Sequence, residues 1–174
     1  MSIDAKIDLK DRFSEFFYRN LETLKEGLPE HVNNKREEAI QNFQKKGIPH
    51  TQVEEYKYTD LNPAFEKEYR TYIQPKKIDF DLNDIFRCDV PELDTHVVLL
   101  LNGWYYQKKT PQKELPNGVI ITSFREAANK YPEIVKKHYN QYADNEKESL
   151  AALNTAFAQD GGLNYVAKGK AIDK

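Results

Sequence analysis

The chain has 174 residues, 39% of them hydrophobic and 31% charged, with 11 Tyr, 9 Phe and 1 Trp; at this length roughly 70% of the unfolded surface is hidden on folding, so one core forms without disulfide or metal staples, and collagen-like and fully disordered classes are excluded. With 26 Lys and Arg against 28 Asp and Glu, the net charge of −2 leaves no whole-molecule field to draw nucleic acid or an anionic membrane, and any such contact has to be local. The longest purely aliphatic run, Val97 to Leu101, falls far short of the ~20 residues of a membrane helix.

Leu9, Phe13, Phe16, Phe17, Leu21, Leu24 and Leu28 recur at helical offsets and predict one amphipathic helix, capped by Asp8 and ended at Gly27 and Pro29. Val32, Arg36, Ala39, Ile40 and Phe43 predict a second, stopped at Gly47-Ile48-Pro49, because Gly accepts the left-handed conformation and Pro cannot continue a helix. The short Gly-Leu-Pro link makes the two a helical hairpin. Thr51 to Phe65, with Pro63 inside it, reads as short helical turns and loop. Tyr69 to Leu93, with Pro75, Pro91 and many Asp residues, reads as an irregular connection between subdomains.

The period then changes. Val97 to Leu101, Asn102-Gly103 and Trp104 to Tyr106 predict a β-hairpin, since Asn-Gly accepts the positive φ angles of a type I′ turn; its first strand is apolar on both faces and is expected to be covered on both. Val119 to Thr122 supplies another strand. Ser123 and Glu126 have the spacing of a capping box, and Pro132 divides the helix they open, with Tyr131, Ile134, Val135, His138 and Tyr142 continuing its stripe. Leu150, Leu153 and Phe157 mark a helix closed by Gly161-Gly162, Leu163 to Ala167 reads as a strand, and the end at Lys174 without a terminating element reads as a truncation. The predicted class is α+β: the helical hairpin, then a small, mainly antiparallel sheet packed by helices. The expected division is a helical segment over 1–68, a small α+β subdomain over 69–160, and a last strand over 161–174.

Local chemistry motifs are absent. His31, His50, His96 and His138 are dispersed, with no His-x-x-x-His or Cys-x-x-Cys pair, so no metal site is expected. The single cysteine, Cys88, rules out an internal disulfide, fits a reducing compartment, and leaves this chain unable to hold an iron–sulfur cluster alone in the ordinary way. The first ten residues alternate charge at Asp4, Lys6, Asp8 and Lys10 where a secretion signal has an apolar stretch, and the expected location is cytoplasmic. The seven glycines form no phosphate-binding loop, no Gly-x-Ser-x-Gly elbow occurs, and Glu92 and Asp94 read as a solvated acidic pair. Neither ATP binding nor any other enzymatic activity is expected. Four Lys-Lys pairs, at 45–46, 76–77, 108–109 and 136–137, with nearby tyrosines, leave a single-stranded nucleic-acid-binding module as the alternative function.

Arg36, Ala39, Phe43, Gly47-x-Pro49 and then Glu54-x-Tyr56-Lys57-Tyr58-Thr59-x-Leu61 resemble the amino-terminal signature of the SufD family of iron–sulfur cluster assembly proteins. Leu101-Asn102-Gly103, Leu115-Pro116-Asn117-Gly118-Val119 and Leu153-Asn154-x-Ala156-Phe157-x-x-Asp160-Gly161 follow in the family's order. Tyr56 stands where the family commonly has Trp, and the last motif also resembles the paralogue SufB. The resemblance implies a non-catalytic scaffold or interaction domain, acting with SufB and the ATPase SufC, with a β-helix beginning at the last strand. It implies no cofactor in this segment, the cluster being handled by the full complex, and it carries over no metal or catalytic residue. Glu54, Tyr56, Lys57, Tyr58, Thr59 and Leu61 are the candidate signature or partner-contact residues. Two readings of them stay open: a clasp, with Tyr56 and Tyr58 packed on the Phe43 end of the second helix, which is preferred, or a contact surface. Alternation puts the two tyrosines on one side if the segment is extended and apart if it is helical.

Overall fold

The computed structural model of the chain describes residues 8–67, 69–75, 98–106, 113–115 and 118–171. Helix α1 (Leu9–Arg19) starts where predicted, the Asp8 carboxylate accepting the Lys10 N–H at 3.0 Å. The single helix expected up to Leu28 instead breaks at Asn20, whose backbone leaves the helical region at φ −112° and whose side-chain amide donates to the Phe16 carbonyl at 2.7 Å. A short amide side chain competes in this way with the helical ladder. Helix α2 (Leu21–Lys25) then brings Leu24 into the same core as Phe17.

Helix α3 (Glu30–Lys46) ends at Gly47, φ 70°, as the Gly-x-Pro signal predicted. It feeds two clusters. Ala39, Ile40 and Phe43 join Phe17, Leu24, Ala152 and Ala156 in the first, and Val32 joins Leu28, Ala127, Ala128 and Val135 in the second. A 3-10 turn (Glu54–Tyr56) and helix α4 (Asn62–Phe65) follow; Leu61, Phe65 and Ile73 pack on the first cluster, and Arg12 Nη2 donates to the Phe65 carbonyl at 2.6 Å.

Strands β1 (Leu100–Leu101) and β2 (Trp104–Tyr105) pair antiparallel around Asn102 and Gly103, at φ 50° and 85°, the expected type I′ geometry. Coverage of both faces is not observed: Leu100 is 46% exposed, because a two-stranded ribbon has only one side laid on the protein. In the second sheet, β4 (Val119–Ser123) is the central strand between β3 (Lys113–Leu115) and β5 (Gly162–Val166), all antiparallel. Ser123 Oγ accepts the Glu126 N–H at 3.0 Å and opens α5 (Phe124–Lys130); Pro132 opens α6 (Pro132–His138), and α7 (Ser149–Phe157) lies along α3. The stripe stops at His138, for Asn140 takes φ 58° and Tyr142 is 80% exposed. The α+β class is thus the observed one. Most of the predicted irregular connection, with Cys88, His96 and Val97, lies outside the described residues, as do Lys76, Lys77, Lys108 and Lys109.

Gly27 combines φ 70° with a close approach: a Cβ there would lie 2.5 Å from Arg125 Nη1. Gly27→Ala is therefore expected to cost about 2 kcal/mol, from the strained φ and the displaced arginine together. Gly103→Ala, at φ 85° but with nothing within 4 Å, should cost about 1 kcal/mol. Urea unfolding midpoints of the two variants check the difference.

Candidate interaction surface

Most residues that carry the resemblance are consumed in building the fold. Arg36 is fully buried. Its Nε donates to Asn33 Oδ1 at 3.0 Å, Nη1 to the Ala156 carbonyl at 2.8 Å, and Nη2 to the Ala158 carbonyl. Asn33 in turn donates to the carbonyls of Lys25 and Leu28, at 3.1 and 2.8 Å. One guanidinium thus joins the α2–α3 link to the end of α7, where the last carbonyls of a helix lack partners and carry partial negative charge. Burial lowers the Arg36 pKa, with the Tyr139 phenol opposing and Arg125 adding to the shift; a guanidinium stays charged throughout. Ala39 and Ala156 are at 0% exposure between α3 and α7, and Phe157 packs edge-on against Phe17 at 5.7 Å. Asp160 accepts two backbone amides at 3.1 Å, Tyr105 N–H on Oδ2 and Arg125 N–H on Oδ1, so the hairpin and the start of α5 are held by one carboxylate.

The Glu54 to Leu61 segment behaves differently. Three i to i+3 hydrogen bonds, Tyr56 N–H to Val53 at 2.9 Å, Lys57 N–H to Glu54 at 3.4 Å and, after a step without one at Tyr58, Thr59 N–H to Tyr56 at 2.8 Å, wind it into tight turns. At roughly 120° per residue, side chains three apart share a face and those two apart diverge. Tyr56 therefore turns half inward while Tyr58 turns out, at 90% exposure. The clasp is overturned for Tyr58, and the apolar cover on the α1–α3 core comes instead from Leu61 and Phe65. Glu54, Lys57 and Thr59 are exposed and Leu61 is half-buried. Lys57 pairs with Glu54 and sits 5.1 Å from the Tyr58 ring centroid.

The other candidates are not brought together. His31 opens α3, His50 accepts the Gln52 N–H at 3.2 Å in the following turn, and His138 meets Tyr142 beyond α6. No group of three or more His, Cys, Asp or Glu among the described residues is placed to hold a metal. Lys45 and Lys46 end α3, whereas Lys136 and Lys137 lie on α6; Lys46 donates to the Lys147 carbonyl at 3.2 Å and Lys136 pairs with Glu133 at 3.2 Å, which leaves the nucleic-acid reading without support among the described residues. Glu92 and Asp94 lie outside them. A shallow polar cleft of about 340 Å³ between α3 and residues 140–146 brings together Lys35, Glu38, Asn140 and Asn145 but no nucleophile paired with a base. Among the described residues no helix is long and apolar enough to cross a membrane.

Comparison with known proteins places the chain in a family. The chain is 40% identical over 52 residues to the iron–sulfur cluster assembly SufBD family protein ABCI9 of Arabidopsis thaliana, covering 30% of this chain and 11% of that protein. It is 36% identical over 61 residues to the chloroplastic SufBD family protein ABCI8 of the same plant, covering 35% and 10%. Against the iron–sulfur cluster assembly SufBD family protein slr0076 of Synechocystis it is 23% identical over 133 residues, 76% of this chain and 28% of the relative. The chain thus matches between about a tenth and about a quarter of the length of these relatives. No solved structure gives a significant match. The family described as the SufBD protein N-terminal region matches residues 7–174, and the chain belongs to this family of iron–sulfur cluster assembly proteins.

Proposed function

We propose that the chain is the amino-terminal region of a SufD-type member, a non-catalytic interaction domain that acts with SufB and the ATPase SufC in a reducing cytoplasm. Within it, Glu54 to Thr59 is the partner-contact element. The observation that carries this reading is the exposure of the signature: Tyr58 stands 90% in solvent in the motif that carries the resemblance, whereas Arg36, Phe43, Ala156 and Asp160 are explained by the fold they hold together. The Glu-x-aromatic-Lys-Tyr-Thr pattern supports SufD over SufB, and the single cysteine supports a reducing compartment. The absence of a nucleotide loop or nucleophile motif in the sequence supports a non-catalytic role, with ATP binding left to SufC.

The test is Tyr58→Ala in the full-length protein. Stability should stay within ~0.5 kcal/mol of wild type, the range of surface substitutions. Affinity for SufB and SufC should fall about tenfold or more, the loss typical of an aromatic anchor. An unchanged affinity with an unchanged melting temperature would remove the segment from the interface.

A further inference from the structure

We propose that Arg125, stacked on Trp104, is a receptor for a carboxylate presented by a protein partner. The site is built on other elements than the Glu54 to Thr59 turn and does not depend on that reading. The Arg125 guanidinium carbon lies 5.2 Å from the ring centroid of Trp104 on the β1–β2 hairpin. Its Nη1 lies against Gly27 in the α2–α3 link, where an added Cβ would come within 2.5 Å of it. Asp160 fixes the pair in place: its two oxygens accept the backbone N–H groups of Tyr105 and Arg125, each at 3.1 Å, so the residue after Trp104 and Arg125 itself are tied to one carboxylate. Held there, the half-buried arginine has no side-chain acceptor and no ion-pair partner among the described residues; Nε is buried without a partner, while Nη1 and Nη2 keep contact with solvent. A buried N–H left unpaired is costly and rare, and the fold itself gives this guanidinium nothing to bind.

Charge names the ligand. Arg36, close enough for Arg125 to add to the lowering of its pKa, is held by one amide oxygen and two carbonyls, all neutral. Arg36, Arg125 and Asp160 together therefore leave one positive charge over. Lys25 at the end of α2 and Lys130 at the end of α5 are already paired, with Glu37 and Glu126. One free guanidinium matches one carboxylate, whose two oxygens accept its terminal N–H groups in parallel, while the Trp104 face holds the planar fork in position. A nucleic acid is gripped by several cations along its phosphates, and here the lysines on the adjoining elements are spent.

Trp104 is the single tryptophan of the 174-residue chain, so its fluorescence reads this site alone. The experiment titrates the chain at low salt with acetyl-Gly-Glu-Gly-amide, with the uncharged acetyl-Gly-Gln-Gly-amide, and with acetyl-Gly-Gln-Gly carrying a free carboxyl terminus. The glutamate peptide should change the emission saturably with a millimolar dissociation constant, roughly threefold or more tighter than the uncharged peptide. A response to the free-acid peptide supports the proposal equally, and the stronger of the two acids tells a side chain from a chain end as the source. Arg125→Gln, which keeps the backbone bond to Asp160, should abolish the response. Arg125→Lys, which keeps the charge without the fork, should weaken it about threefold or more, and it carries the test if the glutamine variant melts early. No response, equal responses to the glutamate and uncharged peptides, or a response that survives Arg125→Gln would overturn the proposal. So would tighter binding of an oligonucleotide than of the glutamate peptide, or an emission shift that follows the concentration of the chain alone, which assigns the site to a second copy.

Discussion

Arg36→Met is expected to lower the unfolding free energy by about 3–5 kcal/mol. Methionine fills much of the volume and supplies no donor, so Asn33 Oδ1 and the carbonyls of Ala156 and Ala158 lose their partner at a fully buried position. The damage should not stay local. Asn33 also fixes the Lys25 and Leu28 carbonyls, so the α2–α3 link and the end of α7 loosen together. Arg36→Lys separates charge from geometry: an ammonium keeps the cation but cannot span three acceptors fixed for a fork, and about half the loss should remain. Chemical unfolding of the three proteins checks the order wild type, Lys, Met. A methionine variant as stable as wild type would show that the network contributes nothing net.

Phe43→Ala should cost a similar ~3–5 kcal/mol by a different route, lost transfer energy plus a cavity that helix packing closes only in part. Phe43 is at 0% exposure and receives the Phe13 ring edge-on at 5.9 Å, a contact that Phe13 repeats with Phe65 at 5.9 Å. Phe43→Leu, which keeps most of the volume, should recover more than half of the loss. Thermal melts of both variants, set beside Tyr58→Ala, separate the core from the exposed signature.

How much of this was legible depends on whether the cause is local. Helix α3 was readable because both its stripe and its stop at Gly47 lie within it, and the hairpin turn because Asn102 and Gly103 alone supply the positive φ angles. The break at Asn20 was not, since the apolar spacing runs through it and only the bond from its side chain back to Phe16 decides between one helix and two. Arg36 was visible as a motif residue, but its acceptors lie 120 and 122 positions downstream. Asp160 likewise accepts amides 55 and 35 positions upstream, so no spacing rule reaches either role. For Tyr56 and Tyr58 the sequence allowed both an extended and a helical segment; the tight turn separates them and leaves Tyr58 outside.

Hydrogen exchange at the amides of Tyr56, Lys57 and Thr59 tests most directly whether the exposed signature meets a partner. These three N–H groups are held only by turn bonds to Val53, Glu54 and Tyr56, so in the free full-length protein they open readily and exchange fast compared with the core of α3. In the complex with SufB and SufC their exchange should slow by about tenfold or more while that of α3 stays as it was. Unchanged exchange at all three amides in a stoichiometric complex would contradict the assignment of Glu54 to Thr59 to the interface.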